Sequence, residues 1–141
     1  EKIESIKRML KRLNRERMEE VVKMNQEIGS SVFVFEGIKN DLFSPTKYSI
    51  ASLSPDHIEF ETVNEIVNIK FELRQNGIAG YFRLHQEEYC LYCKYGQLSF
   101  MKSGDAFVMQ FPKHLLKLKI NEVKAHRLFI QRLYKAKNQE L

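Results

Sequence analysis

The 141-residue sequence predicts a mainly β protein with flanking helices: a small six- to seven-stranded antiparallel barrel between an N-terminal amphipathic helix and a C-terminal helix. Three observations carry this. The hydrophobic pattern has helical period at both ends and strand period between them. The central strands follow one another at roughly ten-residue spacing with no helical crossover, which favours antiparallel pairing and a closed or half-closed barrel. Hydrophobic residues make up 43% of the chain, with ten Phe and six Tyr, enough for a real core in one domain.

Residues 1–28 read as one helix. Ile3, Ile6, Leu10, Leu13, Val21, Met24 and Ile28 fall within about 80° of one another at helical period. Arg8, Arg12, Arg15, Glu16, Glu19 and Lys23 occupy the other side, and Gly29 is placed as the C-terminal stop. Arg17 interrupts the apolar stripe, either snorkelling to water or pairing with an acid on a partner.

Residues 29–112 form the expected barrel. Val32-Phe33-Val34-Phe35 is a continuous apolar run. After the Pro45 loop, Ile58, Phe60 and Thr62 alternate with polar residues. Val67, Ile69, Phe71 and Leu73 alternate with Asn68, Lys70, Glu72 and Arg74, the clearest strand in the chain. Tyr81–Leu84, Tyr89–Cys93, Leu98–Phe100 and Ala106–Phe111 supply the remainder. In residues 113–141 a helix is expected from about 121 to 137, with Asn121 as its cap. Its stripe is Leu116, Ile120, Val123, Ile130 and Tyr134, with Arg127 upon it; residues 113–120 fit a strand equally well.

The net charge of +5 is unevenly placed: +2 over residues 1–28, −3 over 29–112 and +6 over 113–141. A nucleic-acid module using the basic tail is therefore one alternative, but no stacking aromatics are interleaved with the charges, and a solvated helix face explains them. There is no run of about 18 apolar residues to span a membrane and no secretory h-region. With two cysteines, the expected setting is cytoplasmic.

Catalytic signatures are missing: the sequence has no phosphate loop, GxGxxG, HExxH or GxSxG. Cys90 and Cys93 have CxxC spacing, yet on a strand their sulfurs point to opposite faces, and only His85 is near enough to join them at a metal. His57, His85, His114 and His126 are widely separated and spell no triad. The expected protein is not an enzyme and carries neither metal nor cofactor.

Residues 47–62 resemble the central hairpin of PilZ domains, whose motif reads D/N-x-S-x-x-G. The aligned run is Ser52-Leu53-Ser54-Pro55-Asp56-His57, in which Ser54 matches while Ser52 and His57 replace the acid and the glycine. Asp105–Phe111 looks like the last barrel strand of that family, and Arg127–Leu133 like the helix after it. The motif-poor N-terminal barrel of flagellar-brake-type proteins is similar in the same way. The resemblance implies a bacterial regulator of motility, pili or surface behaviour. In PilZ domains an RxxxR segment before the first strand grips cyclic di-GMP, since guanidiniums bind phosphate bidentately and stack on bases. Here the spacing occurs only at Arg8 and Arg12, inside the expected helix.

The sequence thus points to a degenerate PilZ-like protein-interaction module. Its partner, or a second copy, would bind the seam of Ile3, Ile6, Leu10, Leu13, Arg17, Val21 and Met24. The same seam covering its own barrel is the other reading. A second alternative function is a cyclic di-GMP receptor with a displaced arginine motif, using Arg8, Arg12, Ser52 and Ser54.

Overall fold

A computed structural model describes residues 11–12, 18–30, 44–54, 58–59 and 66–139. Among these residues nine strands form one sheet: β1 (Lys11–Arg12), β2 (Tyr48–Ser54), β3 (Ile58–Glu59), β4 (Asn68–Leu73), β5 (Gly77–Leu84), β6 (Glu87–Lys94), β7 (Ser99–Ser103), β8 (Ala106–Phe111) and β9 (His114–Lys119). Two helices flank it, α1 (Met18–Ile28) and α2 (Val123–Gln139). The strand order is β1-β6-β5-β4-β2-β9-β8-β7, with β3 paired to β2 and every pair antiparallel. A register shift between Ile50 and Ser52 bends β2 against β9. Leu91 and Cys93 of β6 share one core cluster with Phe107 and Met109 of β8, so the sheet curls around a common interior. This is the expected class: an antiparallel barrel-like sheet with one helix at each end of the chain.

Local chemistry sets the turns. The β5–β6 hairpin closes on His85 and Gln86, both at positive φ, the conformation of a two-residue type I′ turn. His85 is therefore an exposed turn residue, away from any metal role with the cysteines. Gly104, at φ 61°, opens the β7–β8 turn. Pro112 and Lys113 join β8 to β9, so the expected boundary at 112/113 falls inside a hairpin. Residues 114–119 resolve as strand, with strictly alternating burial, because β9 pairs with both β2 and β8.

The N-terminal segment departs from the single helix expected over residues 1–28. Lys11 and Arg12 pair with Cys90 and Tyr89 as a short strand, and the described helix begins at Met18. Gly29, at φ 95°, ends it as expected, its N–H bonding Asn25 O at 2.9 Å. The buried residues of α1 are Met24 and Ile28, which pack on Ala79 and Cys90 of its own sheet. Burying them contributes about 1.5–3 kcal/mol each.

Glu72 and Arg74, read from alternation as solvent-facing, are 1% and 6% exposed because α1 covers them. Arg74 Nε donates to Glu72 Oε1 at 2.9 Å, Nη1 to Asn25 Oδ1 at 2.7 Å and to Gly29 O at 2.8 Å, and Nη2 to the Tyr81 hydroxyl at 2.8 Å. Tyr81 in turn donates to Glu72 Oε1 at 2.6 Å. Burial works against the guanidinium charge, but Tyr81 and Glu72 outweigh it and hold Arg74 above its ordinary value. Removing one partner from such a pair strands the other charge, at a cost of about 3–5 kcal/mol.

Two expectations follow. Arg74→Met should lower stability by roughly that amount in urea unfolding, and adding Glu72→Met should recover a large part; an unchanged midpoint for Arg74→Met refutes the assignment. Gly77 sits under α1, where a Cβ would run into the Ile28 side chain and the Cys93 carbonyl. Gly77→Ala should therefore cost about 1–3 kcal/mol, with early amide exchange along α1; unaltered exchange there would contradict this packing.

Candidate binding groove between the C-terminal helix and the β7–β8 hairpin

The C-terminal helix enters the barrel by a face different from the expected stripe. His126, Phe129 and Leu133 are its buried residues, spaced i, i+3, i+7, whereas Val123 and Tyr134 are 55% and 54% exposed. Phe129 stacks on Phe71 of β4 with centroids 5.7 Å apart, inside the main core. Asn121, instead of capping the helix, donates its amide to Lys47 O at 3.1 Å and Ser49 Oγ at 3.2 Å. Glu122 accepts from Thr46 Oγ1 at 2.6 Å, which ties the helix start to the segment before β2. At the far end Lys137 Nζ donates to Tyr95 O and Leu98 O at 2.6 and 2.8 Å. With both ends tied, the turn-to-turn rotation of α2 is set, and Val123, Arg127, Ile130 and Tyr134 are left beside the hairpin.

Between them lies a groove of about 420 Å³, within the range of ligand clefts. Phe100, Phe107, Ile130 and Tyr134 form its apolar walls. Phe100 and Tyr134 meet across it with ring centroids 5.2 Å apart, and Met101 is 61% exposed at its edge. Among the described residues, Lys102 and Arg127 are its charged lining, and no carboxylate lines it. Arg127, expected on the apolar stripe, is exposed at this rim.

His126 is the buried polar residue in the lining. Its Nδ1 is 2.8 Å from the hydroxyl of Tyr48, which is fully buried. A buried hydroxyl needs an acceptor, so Tyr48 donates and Nδ1 accepts, placing the imidazole proton on Nε2. Burial raises the Tyr48 phenol, which keeps its proton. Burial, and then the charge of Lys102, push His126 below the ordinary imidazole value. Tyr48 and Phe107 both meet the ring edge-on, which holds its plane.

The other nominated residues are dispersed. Cys90 and Cys93 point to opposite faces as expected: Cys90 lies in the small cluster beneath α1, its Sγ 3.5 Å from Met24 Sδ, and Cys93 lies in the main core. Burial pushes the Cys90 thiol up, away from nucleophilic character. Among the described residues no group of three or more His, Cys, Asp or Glu is placed to hold a metal ion. Ser52 and Ser54 lie half-buried on β2, whereas Arg12 is on β1, with β6, β5 and β4 between them in the sheet order. The fold does not bring these three onto neighbouring strands. Of the expected seam, Met24 is buried on its own sheet and Val21 is half-buried. Ile3, Ile6, Arg8, Leu10, Leu13 and Arg17 lie outside the described residues. No helix among the described residues is long and apolar enough to cross a membrane.

Sequence reading missed the groove because its walls come from two segments more than 20 residues apart. The one available signal was Tyr134 and Val123 sharing a stripe with Arg127, which marks a surface that is apolar and wet at once.

The His126 pKa gives stability a defined pH dependence. In the unfolded chain the imidazole titrates near 6.5; in the fold it is lower, so the unfolded state binds more protons below that pH. The His126 contribution is complete above about pH 6.5 and is lost as pH falls towards the folded value. A ring-proton NMR titration of His126 should show a midpoint below 6.5; a midpoint at or above it refutes the buried neutral tautomer. Comparison with protein-family models, curated proteins and solved structures returned no match to this chain.

Proposed function

We propose that this chain is a non-catalytic regulatory module, PilZ-like in the order of its elements, that docks a protein partner in bacterial motility, pilus or surface signalling. The observation that carries the docking reading is the groove beside α2. Met101, Val123 and Tyr134 stand more than half exposed around one apolar cleft, with Lys102 and Arg127 among them. Exposed apolar side chains gathered in one place mark interaction sites more often than scattered ones do. The PilZ-like reading is supported by the curled antiparallel sheet followed by a C-terminal helix, the order that the resemblance implies. On this reading association is helix-mediated, and the helix that offers the contact is α2.

The interior polar groups support the same reading from the other side. Arg74, Glu72, Tyr81, Tyr48 and His126 bond one another, and Arg74 also bonds the Asn25 side chain and the Gly29 carbonyl. They act as fasteners of the fold, and the exposed chemistry lies on the helix and hairpin.

A photo-crosslinking residue at Val123 or Met101, introduced in the bacterium that makes the protein, should give one discrete protein adduct. The same residue at Lys117, exposed on β9, should not. Tyr134→Asp should abolish the adduct while leaving the β circular dichroism intact. Absent adducts, or equal adducts at Lys117, would refute docking at this face. Calorimetry with high-micromolar cyclic di-GMP should show no binding heat; heat removed by Arg8→Ala with Arg12→Ala would establish the nucleotide-receptor alternative.

A further inference from the structure

We infer that the segment received by the groove, on the docking reading above, is acidic and amphipathic: an apolar anchor against Met101, Val123 and Ile130, and carboxylates meeting Lys102, Arg127 and the Nε2–H of His126. Charge complementarity leads to this. Lys102 and Arg127 reach the groove from opposite sides, the hairpin and the helix, and among the described residues no carboxylate lines it. The nearest acid on the helix entry, Glu122, is engaged by Thr46 Oγ1 at 2.6 Å. The C-terminal stretch of sequence, residues 113–141, carries a balance of +6, which favours an anionic approach.

His126 adds direction to that charge. Its Nδ1 is taken by Tyr48, so its remaining polar atom is a donor. Lys102, Arg127 and His126 therefore all donate, and a bound carboxylate would satisfy them where a basic segment would leave them unpaired. Apolar walls require something that a bare anion lacks, which selects a segment with Leu, Met or aromatic side chains beside its acids.

Nucleic acid fits the same charge but not the same walls. Phe107 is 1% exposed, and Phe100 is engaged by Tyr134 and by Phe107, so those two rings are already spent on protein contacts. Single-strand binding draws on open aromatic faces for its bases. The half-exposed Tyr134 alone is a poor platform, and an amphipathic polypeptide uses the aliphatic lining that a base would not.

The test is selection of a displayed random-peptide library on the intact chain. Enriched sequences should be net negative with Leu, Met or aromatic anchors. Their synthetic versions should shift amide resonances of residues 100–107 and 123–134. Lys102→Glu with Arg127→Glu, both at exposed positions, should weaken them about tenfold and reverse the selection towards basic sequences. Enrichment of neutral or basic peptides, absence of enrichment, shifts elsewhere, indifference to the charge reversal, or displacement of the peptides by a random single-stranded oligonucleotide would each overturn the inference. Adducts at Val123 in cells together with any of these would leave docking in place and refute the acidic class. Loss of the adducts as well would remove both.

Discussion

A charged pair buried against the outer face of the sheet is the constraint around which the rest of this structure is arranged. Glu72 and Arg74 sit two residues apart on and just beyond β4, so strand geometry puts both on the same face. Left uncovered, they would be an ordinary surface pair of little consequence. Covered by α1, they are viable only because Asn25, Gly29 and Tyr81 complete the donor set of the guanidinium. A buried pair is weak as a source of stability, but it discriminates sharply between one placement of the helix and its alternatives. Two of its hydrogen bonds reach the C-terminal end of α1, whose docking is thereby set in register as well as in position.

That placement divides the sheet into unequal halves. Strands β4 to β6 face the main core on the inside, and under α1 their outer face is buried too, by Met24 and Ile28 on Ala79 and Cys90 and by the Glu72–Arg74 pair. Close approach of α1 demands glycine at position 77, where Ile28 and the Cys93 carbonyl leave no room for a Cβ. Among the described residues the β7–β8 end has no such cover: β7 ends the strand order and most of its residues are exposed. The helix α2 is committed to the interior through Phe129 and Leu133 and reaches the hairpin only with the flank of its surface. The groove is the space between a helix directed inward and a hairpin it does not cover. Tyr48 and His126 anchor its inner side by the same logic as Glu72 and Arg74, with buried polar groups that each require the other.

Much of the fold was legible in the sequence. The period-2 pattern at 67–73, the strand run at 106–111, the helical period near 121–137 and Gly29 as a helix stop all correspond to elements of the structure. The opposite facing of Cys90 and Cys93 followed from strand geometry alone. Less of the candidate site was legible. Glu72 and Arg74 alternate correctly for solvent, and nothing local signals that a helix will lie over them. The stripe on α2 was misassigned because Leu116 and Ile120, which precede the helix, biased its phase towards Val123 and Tyr134. His126 and Phe129, polar and aromatic, score poorly as a helical stripe but fit a core that offers a tyrosine hydroxyl and a stacking ring.

The sequence by itself determined the class of this protein: local periodicity, turn residues and the absence of crossover helices are properties of neighbouring residues, and they require an antiparallel sheet with a helix at each end. The tertiary structure decided which polar residues are buried, where β9 begins, which face of α2 turns inward and where two cations meet an apolar cleft. Each of those depends on pairs of residues far apart in the chain, such as Asn25 with Arg74, Tyr48 with His126 and Lys102 with Arg127. These juxtapositions exist only after the sheet has curled and the helices have docked.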